Sequence, residues 1–304
     1  GSKKTTHTVF IENKDASFTF PYQKQPSLII VNSDNNLICS LNENKVLSDY
    51  LFQFRNADNY SHRREALLEI IKKQEDKEAF KVVVEALSDE SYKIRILALE
   101  NIDLINKFSK KDAIKKIMIM ANSDEKTLVQ AAAINTLGKL IDPELEPVFE
   151  KALESKSYSV LGKALIAMYY VDKEKAISKS KILPDEIREI LSKPLTQIFI
   201  EENDESELPF VAKNVISGMF LSNDDASKAL FEKAFQQISK SDNTKAIENV
   251  VNDMVEKGEQ YKSFNFDKVV INLMRKMIEE QKKINKPINI KNIAIIKTAM
   301  AKLL

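Results

Sequence analysis

The sequence predicts a mainly α chain of stacked helix pairs, preceded by a short all-β stretch. Three observations carry this reading. Only five glycines and eight prolines punctuate 304 residues, which favours long helices over most of the length. A helix start and its small-residue face are written twice, as SDESYKIRILALENI at Ser88–Ile102 and SDEKTLVQAAAINTL at Ser123–Leu137. The first 44 residues follow a different pattern: HTVFIE, ASFTFP, SLIIVN and LICSL are short, rich in β-branched and aromatic residues, and separated by turn clusters.

Taken in order, the β stretch comes first. In Ser17-Phe18-Thr19-Phe20 the two phenylalanines fall on one face of a strand. Four short strands bury only one face and need something to lean on. Cys39 stands in the apolar run LICSL and reads as a small buried hydrophobe. As the sole cysteine it allows no internal disulfide.

From Lys45 the pattern predicts helix pairs at 46–55 and 61–72, 76–87 and 91–105, 110–121 and 125–140, and 143–154 and 158–170. Ser61, Ser91 and Ser123 stand where N-caps are expected. Asp142-Pro143 reads as a cap followed by proline in the first turn. Further helices are expected at 185–202, 206–221, 223–239, 243–257, 264–284 and 289–303, with Gly258 as a C-cap.

Aligning the second helix of each pair shows what is repeated. His62, Ile94, Val129 and Val160 share one slot, at spacings of 32, 35 and 31 residues. Four residues on come Ala66, Ala98, Ala133 and Ala164, and four further Ile70, Ile102, Leu137 and Met168. The i, i+4, i+8 spacing puts all three slots on one helix face. An alanine in the middle slot lets a neighbouring helix approach closely. One pair cannot bury such a face, but stacked pairs can, which predicts an α-solenoid over 45–304. The pattern in Asp89–Ala98, an Asp followed by Ile-Arg and then Ala, resembles HEAT-like repeats. The Trp, Gly and Tyr positions of tetratricopeptide repeats are not filled.

Charge excludes some functions. The 46 basic and 45 acidic residues leave a net +1, so no global field attracts nucleic acid or an anionic membrane. No apolar run reaches the ~18 residues of a membrane span. Catalytic apparatus is not evident either. The two histidines, His7 and His62, form no H-E-x-x-H, and C-x-x-C, G-x-S-x-G and P-loop motifs are absent. His62 heads SHRRE and reads as a packing or capping side chain. The pairs Glu201-Glu202 and Asp224-Asp225 suit helix ends. Arg95, beside a core slot, is expected to ladder with acids of the preceding repeat. It is also the one candidate for a substrate-facing role, through a bidentate contact to a carboxylate. No catalytic or metal-ligating residue is assigned.

The junction between the two regions carries a resemblance. PSLIIVNSDNNLICSL (Pro26–Leu41) followed by VLSDYLFQFRNADNYSHRREALLEI (Val46–Ile70) is similar to a junction in the aminopeptidase N family of zinc metallopeptidases. The matching positions are Pro26, Asp34, Leu37, Ala57-Asp58, Arg63 or Arg64, and Ala66. The resemblance covers residues 5–170. It implies a small β-sandwich, of which 1–44 is part, followed by a HEAT-like helical arch at 45–304. The zinc motif and the G-x-M-E-N motif of the family are missing.

On this resemblance the chain is the non-catalytic C-terminal portion of a zinc aminopeptidase. Zinc then belongs to a catalytic domain upstream, and Gly1-Ser2, by its residues alone, reads as an expression remnant. The arch covers a chamber that admits peptides by their free N-terminus. Its partners are that catalytic domain and peptide substrates. The alternative is a stand-alone HEAT-like scaffold that binds another protein on its concave face.

Overall fold

The computed structural model describes residues 4–105, 108, 110–284 and 286–304. The chain falls into two units, Gly1–Phe108 and Ser109–Leu304.

The first unit holds α1 (Leu47–Asn56), α2 (Tyr60–Ile71), α3 (Lys77–Ala86) and α4 (Tyr92–Asn101). The second holds α5 (Lys110–Ser123), α6 (Thr127–Gly138), α7 (Glu146–Ala152), α8 (Tyr158–Val171), α9 (Lys173–Ile182), α10 (Asp185–Ile190), α11 (Ser192–Glu201), α12 (Leu208–Val211), α13 (Val215–Leu221), α14 (Asp225–Lys240), α15 (Thr244–Gln260), α16 (Phe266–Lys283) and α17 (Pro287–Ala301). Among the described residues the regular structure is entirely helical.

The repeated face is the core. Eleven of the twelve slot residues are apolar, and all twelve are buried, with Ala66, Ala98, Ala133 and Ala164 fully so. Within the first unit α2 packs on α1, α3 and α4; within the second α6 packs on α5 and α8. The α6–α8 approach is so close that a Cβ on Gly138 would lie 2.9 Å from the Cβ of Ala167.

The helix starts follow side-chain chemistry. Asp76 accepts from the amides of Glu78 and Ala79 to open α3, and Asn243 accepts from Ala246 to open α15. Asp142 accepts from the Glu144 amide, with Pro143 next to it in a 3-10 turn that leads into α7. The serines expected as caps do less. Ser61 lies inside α2, whose cap is Asn59; Ser91 precedes α4 without a side-chain cap bond; Ser123 ends α5. Gly258 lies inside α15 instead of capping it. A Cβ there would meet Val270 at 2.9 Å and Leu303 at 3.0 Å, so the glycine serves close packing of α16 and the C-terminal end on α15.

Residues 4–45 correct the β reading. No strand forms there, and so no β-sandwich. The stretch is irregular and mostly exposed, and Cys39 is exposed and not buried. The physical reason is that β-propensity reports how well side chains fit a half-buried pleated surface, and these segments have no cross-strand partners to supply one. The turn at 32–36 does form. Asn32 and Asn35 have φ of 55° and 52°. The Asn32 side chain donates to the Leu37 carbonyl at 2.9 Å and accepts from the Leu37 amide at 3.3 Å.

One part of the second unit has a polar core. Gln281 of α16 is fully buried. Its Nε2 donates to the carbonyls of Ser239 and Ser241, at 2.9 and 2.8 Å, where α14 ends. Its Oε1 accepts from Asn289 and Asn292 of α17, at 2.6 and 3.1 Å. Thr244, the first residue of α15, donates to the Asn292 oxygen at 2.8 Å. Gln281 therefore ties α14, α16 and α17 together, with α15 joined through Asn292, and satisfies carbonyls that a helix C-terminus leaves free.

Candidate functional site

Three features stand out: a repeated lock at the helix turns, an exposed apolar stretch, and a half-buried acid.

The lock sits one residue after the first core slot. Arg63 donates to the Asp58 carbonyl at 2.9 Å and the Ala57 carbonyl at 3.4 Å. Arg95 donates to the Asp89 and Glu90 carbonyls at 2.9 and 3.2 Å. Gln130 donates to the Asp124 carbonyl at 2.7 Å. In each case a long donor reaches five or six residues back and closes the turn that leads into its own helix. The acid of that turn completes it: Asp89 accepts from the Ser91 amide at 2.8 Å and Asp124 from the Lys126 amide at 2.9 Å. These Asx-type turns do the capping work that the serines were expected to do. The sequence signal was available, as a donor after three of the four first slots (Arg63, Arg95 and Gln130) and an Asp five or six residues earlier.

Arg63 also reaches forward into the next helix pair. It contacts both carboxylate oxygens of Asp89, at 3.0 and 3.3 Å, and Glu90 at 2.8 Å. Arg63 and Asp89 are both nearly buried. Arg63 thus links its own turn to the acids of the next helix pair. Arg95, the candidate for contact with substrate, is buried in α4 with its guanidinium on the carbonyls of its own turn.

His62 is buried, with Nε2 3.0 Å from the Ser33 carbonyl. It anchors the 32–36 turn to α2. Of the acid pairs, Glu201 and Glu202 lie at the end of α11, where Lys173 pairs with Glu202 at 2.8 Å. Asp224 caps α14, and the Ser227 hydroxyl and amide hold its carboxyl down at about 2. No group of three or more His, Cys, Asp or Glu able to hold a metal lies among the described residues, and no described helix is long and apolar enough to cross a membrane.

The apolar stretch within residues 4–45 is a surface anomaly. Phe10, Tyr22, Ile29 and Ile38 are 82, 68, 66 and 110% exposed, and Phe18 and Phe20 are also exposed. Scattered apolar side chains on a surface are ordinary, but a run of them marks a surface that is covered in use.

The half-buried acid is Asp253 of α15. Its Oδ2 is buried without a hydrogen-bond partner. Burial pushes its carboxyl up from 3.8 to about 6, against the pull of Lys257 and a main-chain hydrogen bond from Ile216. The folded state therefore holds a proton that the unfolded chain has lost between pH ~4 and ~6, and stability falls as pH rises through that window. Because the group is partly exposed, Asp253→Asn is expected to gain only about 1 kcal/mol at pH 7 and little or nothing below pH 4. Urea unfolding at the two pH values checks this; an equal gain at both would remove the burial argument.

No family model matches the sequence, and no curated protein matches it. Among solved structures, the chain is similar to the complex of CpcE and CpcF of phycocyanin lyase from Nostoc sp. PCC7120. The identity is 15%, the TM-score 0.44, and the match covers 88% of this chain and 98% of that one. So loose a likeness decides neither fold nor function, which rest here on the helices themselves.

The resemblance to the aminopeptidase N family is corrected. The sandwich on which it depends does not form among the described residues, and no family model supports it. With it go the reading as a C-terminal portion of a zinc aminopeptidase and the helical arch over a peptide chamber. The residues that carried it have local explanations. Asp34 lies in the 32–36 turn and Leu37 is tied to it by Asn32, Arg63 belongs to the lock, and Ala66 to the core.

Proposed function

We propose that this chain is a HEAT-like helical-repeat scaffold that binds another protein. The observation that carries the proposal is the exposed apolar stretch within residues 4–45. Phe10, Phe18, Phe20, Tyr22, Ile29 and Ile38 are exposed on irregular backbone, and His62 holds the same stretch to α2 at Ser33. Burying a Phe or Ile of this kind contributes roughly 1.5–3 kcal/mol, so a partner that covers several of them gains a substantial anchor. Repeat architectures built of helix pairs commonly present extended binding surfaces.

Site-specific photo-crosslinking tests the reading. A photoreactive residue at Phe10, Phe20 or Leu37 is expected to capture one discrete protein in extracts of the source cells. The same residue at the exposed Lys139, after α6, should not. Equal capture at Lys139, or no discrete adduct from any position, would sink the proposal.

A further inference from the structure

We propose that a cavity in the second unit, between α13, α15 and the start of α16, binds a small amphipathic carboxylate. This goes beyond the protein-binding reading and does not depend on it. The cavity has a volume of about 280 Å³ and is lined chiefly by Phe220, Leu221, Lys257, Tyr261, Phe264 and Phe266. That is close to the lower end of small-molecule sites, roughly 300–1,000 Å³.

Its walls are already assembled. Phe266 meets Phe220 edge-on at 5.0 Å and Tyr261 edge-on at 6.1 Å. Asn265, at a φ of 60°, turns the chain between Phe264 and Phe266. Phe264, Leu221 and Phe220 are 81, 59 and 41% exposed, a cluster of wet apolar groups around one opening. An apolar body fits there because it removes these surfaces from water.

The head group follows from charge. Lys257 is the charged residue on the lining. Its ammonium is held loosely, 3.3 Å from Glu256 and 3.5 Å from the Gln260 side-chain oxygen, both on its own helix. Asp253 lies one turn earlier on α15, and neither it nor Glu256 lines the cavity. A cationic ligand would meet Lys257 as a like charge. A neutral one would gain burial alone, whereas a carboxylate gains burial and a charge-assisted hydrogen bond.

Calorimetric titration of the full chain with octanoate, 1-octanol and octylammonium tests this. Octanoate is expected to bind saturably at one site, and more tightly than the other two. Lys257→Gln should weaken octanoate about tenfold and leave octanol unchanged. Phe264→Ala, at an exposed position, should weaken both without altering the circular dichroism of the fold. The proposal is overturned if octanoate shows no saturable binding, if octanol or octylammonium binds at least as tightly, or if Lys257→Gln leaves octanoate affinity unchanged.

Discussion

Replacing Gln281 by alanine is expected to cost about 4 kcal/mol, the largest single loss in the second unit. The side chain is fully buried and makes four hydrogen bonds. Alanine leaves the Ser239 and Ser241 carbonyls and the Asn289 and Asn292 amides without this partner, and each orphaned buried group costs about 1–3 kcal/mol. The cavity adds to the loss. Gln281→Leu restores volume but no hydrogen bond, so it should recover only a minor part. Gln281→Glu places a carboxylate oxygen opposite two carbonyls and should be at least as damaging as alanine. Urea denaturation of the three variants checks the order. A leucine variant as stable as the parent would show that the polar core is not needed.

The second large effect is at Arg63. Arg63→Ala leaves Asp89 nearly buried without its cation and removes the donor to the Ala57 and Asp58 carbonyls. Breaking a buried pair from one side costs roughly 3–5 kcal/mol. Asp89 keeps its bond from the Ser91 amide, so about 3 kcal/mol is expected here. In a unit of this size that lowers the melting temperature by at least about 10 °C. The adjacent Arg64 is exposed, and Arg64→Ala should change stability by less than about 0.5 kcal/mol. Equal losses at both positions would mean that the lock between repeats is not what stabilises this turn.

The helical part of the chain was largely legible because its core repeats. The slots His62-Ala66-Ile70 through Val160-Ala164-Met168 place buried residues at fixed spacing, and the structure buries all of them. α9 was not foreseen because KEKAISKSKI buries only Ala176 and Ser180 and so shows almost no apolar period. The helix expected at 185–202 is divided at Leu191, which ends α10 and starts α11. Gln281 was invisible because EEQKK reads as a solvated face, and its burial depends on carbonyls some 40 residues away. The turn locks are hidden in the sequence because serines stand at the expected cap positions, while the donors are the long side chains next to the first slot. The N-terminal segments misled for a different reason. Alternation states what a strand would bury, but a strand also needs a partner, which the pattern cannot supply.

Amide hydrogen exchange on the purified chain tests the central claim most directly. The account predicts slow exchange in α2, α4, α6 and α8, where the repeated slots are buried. It predicts fast, nearly unprotected exchange through residues 5–31 and 38–41, where apolar side chains stand exposed. Strong protection of alternate amides in HTVFIE, ASFTFP or SLIIVN would mean that these segments pair as strands, and would contradict both the fold and the exposed surface on which the proposed function rests.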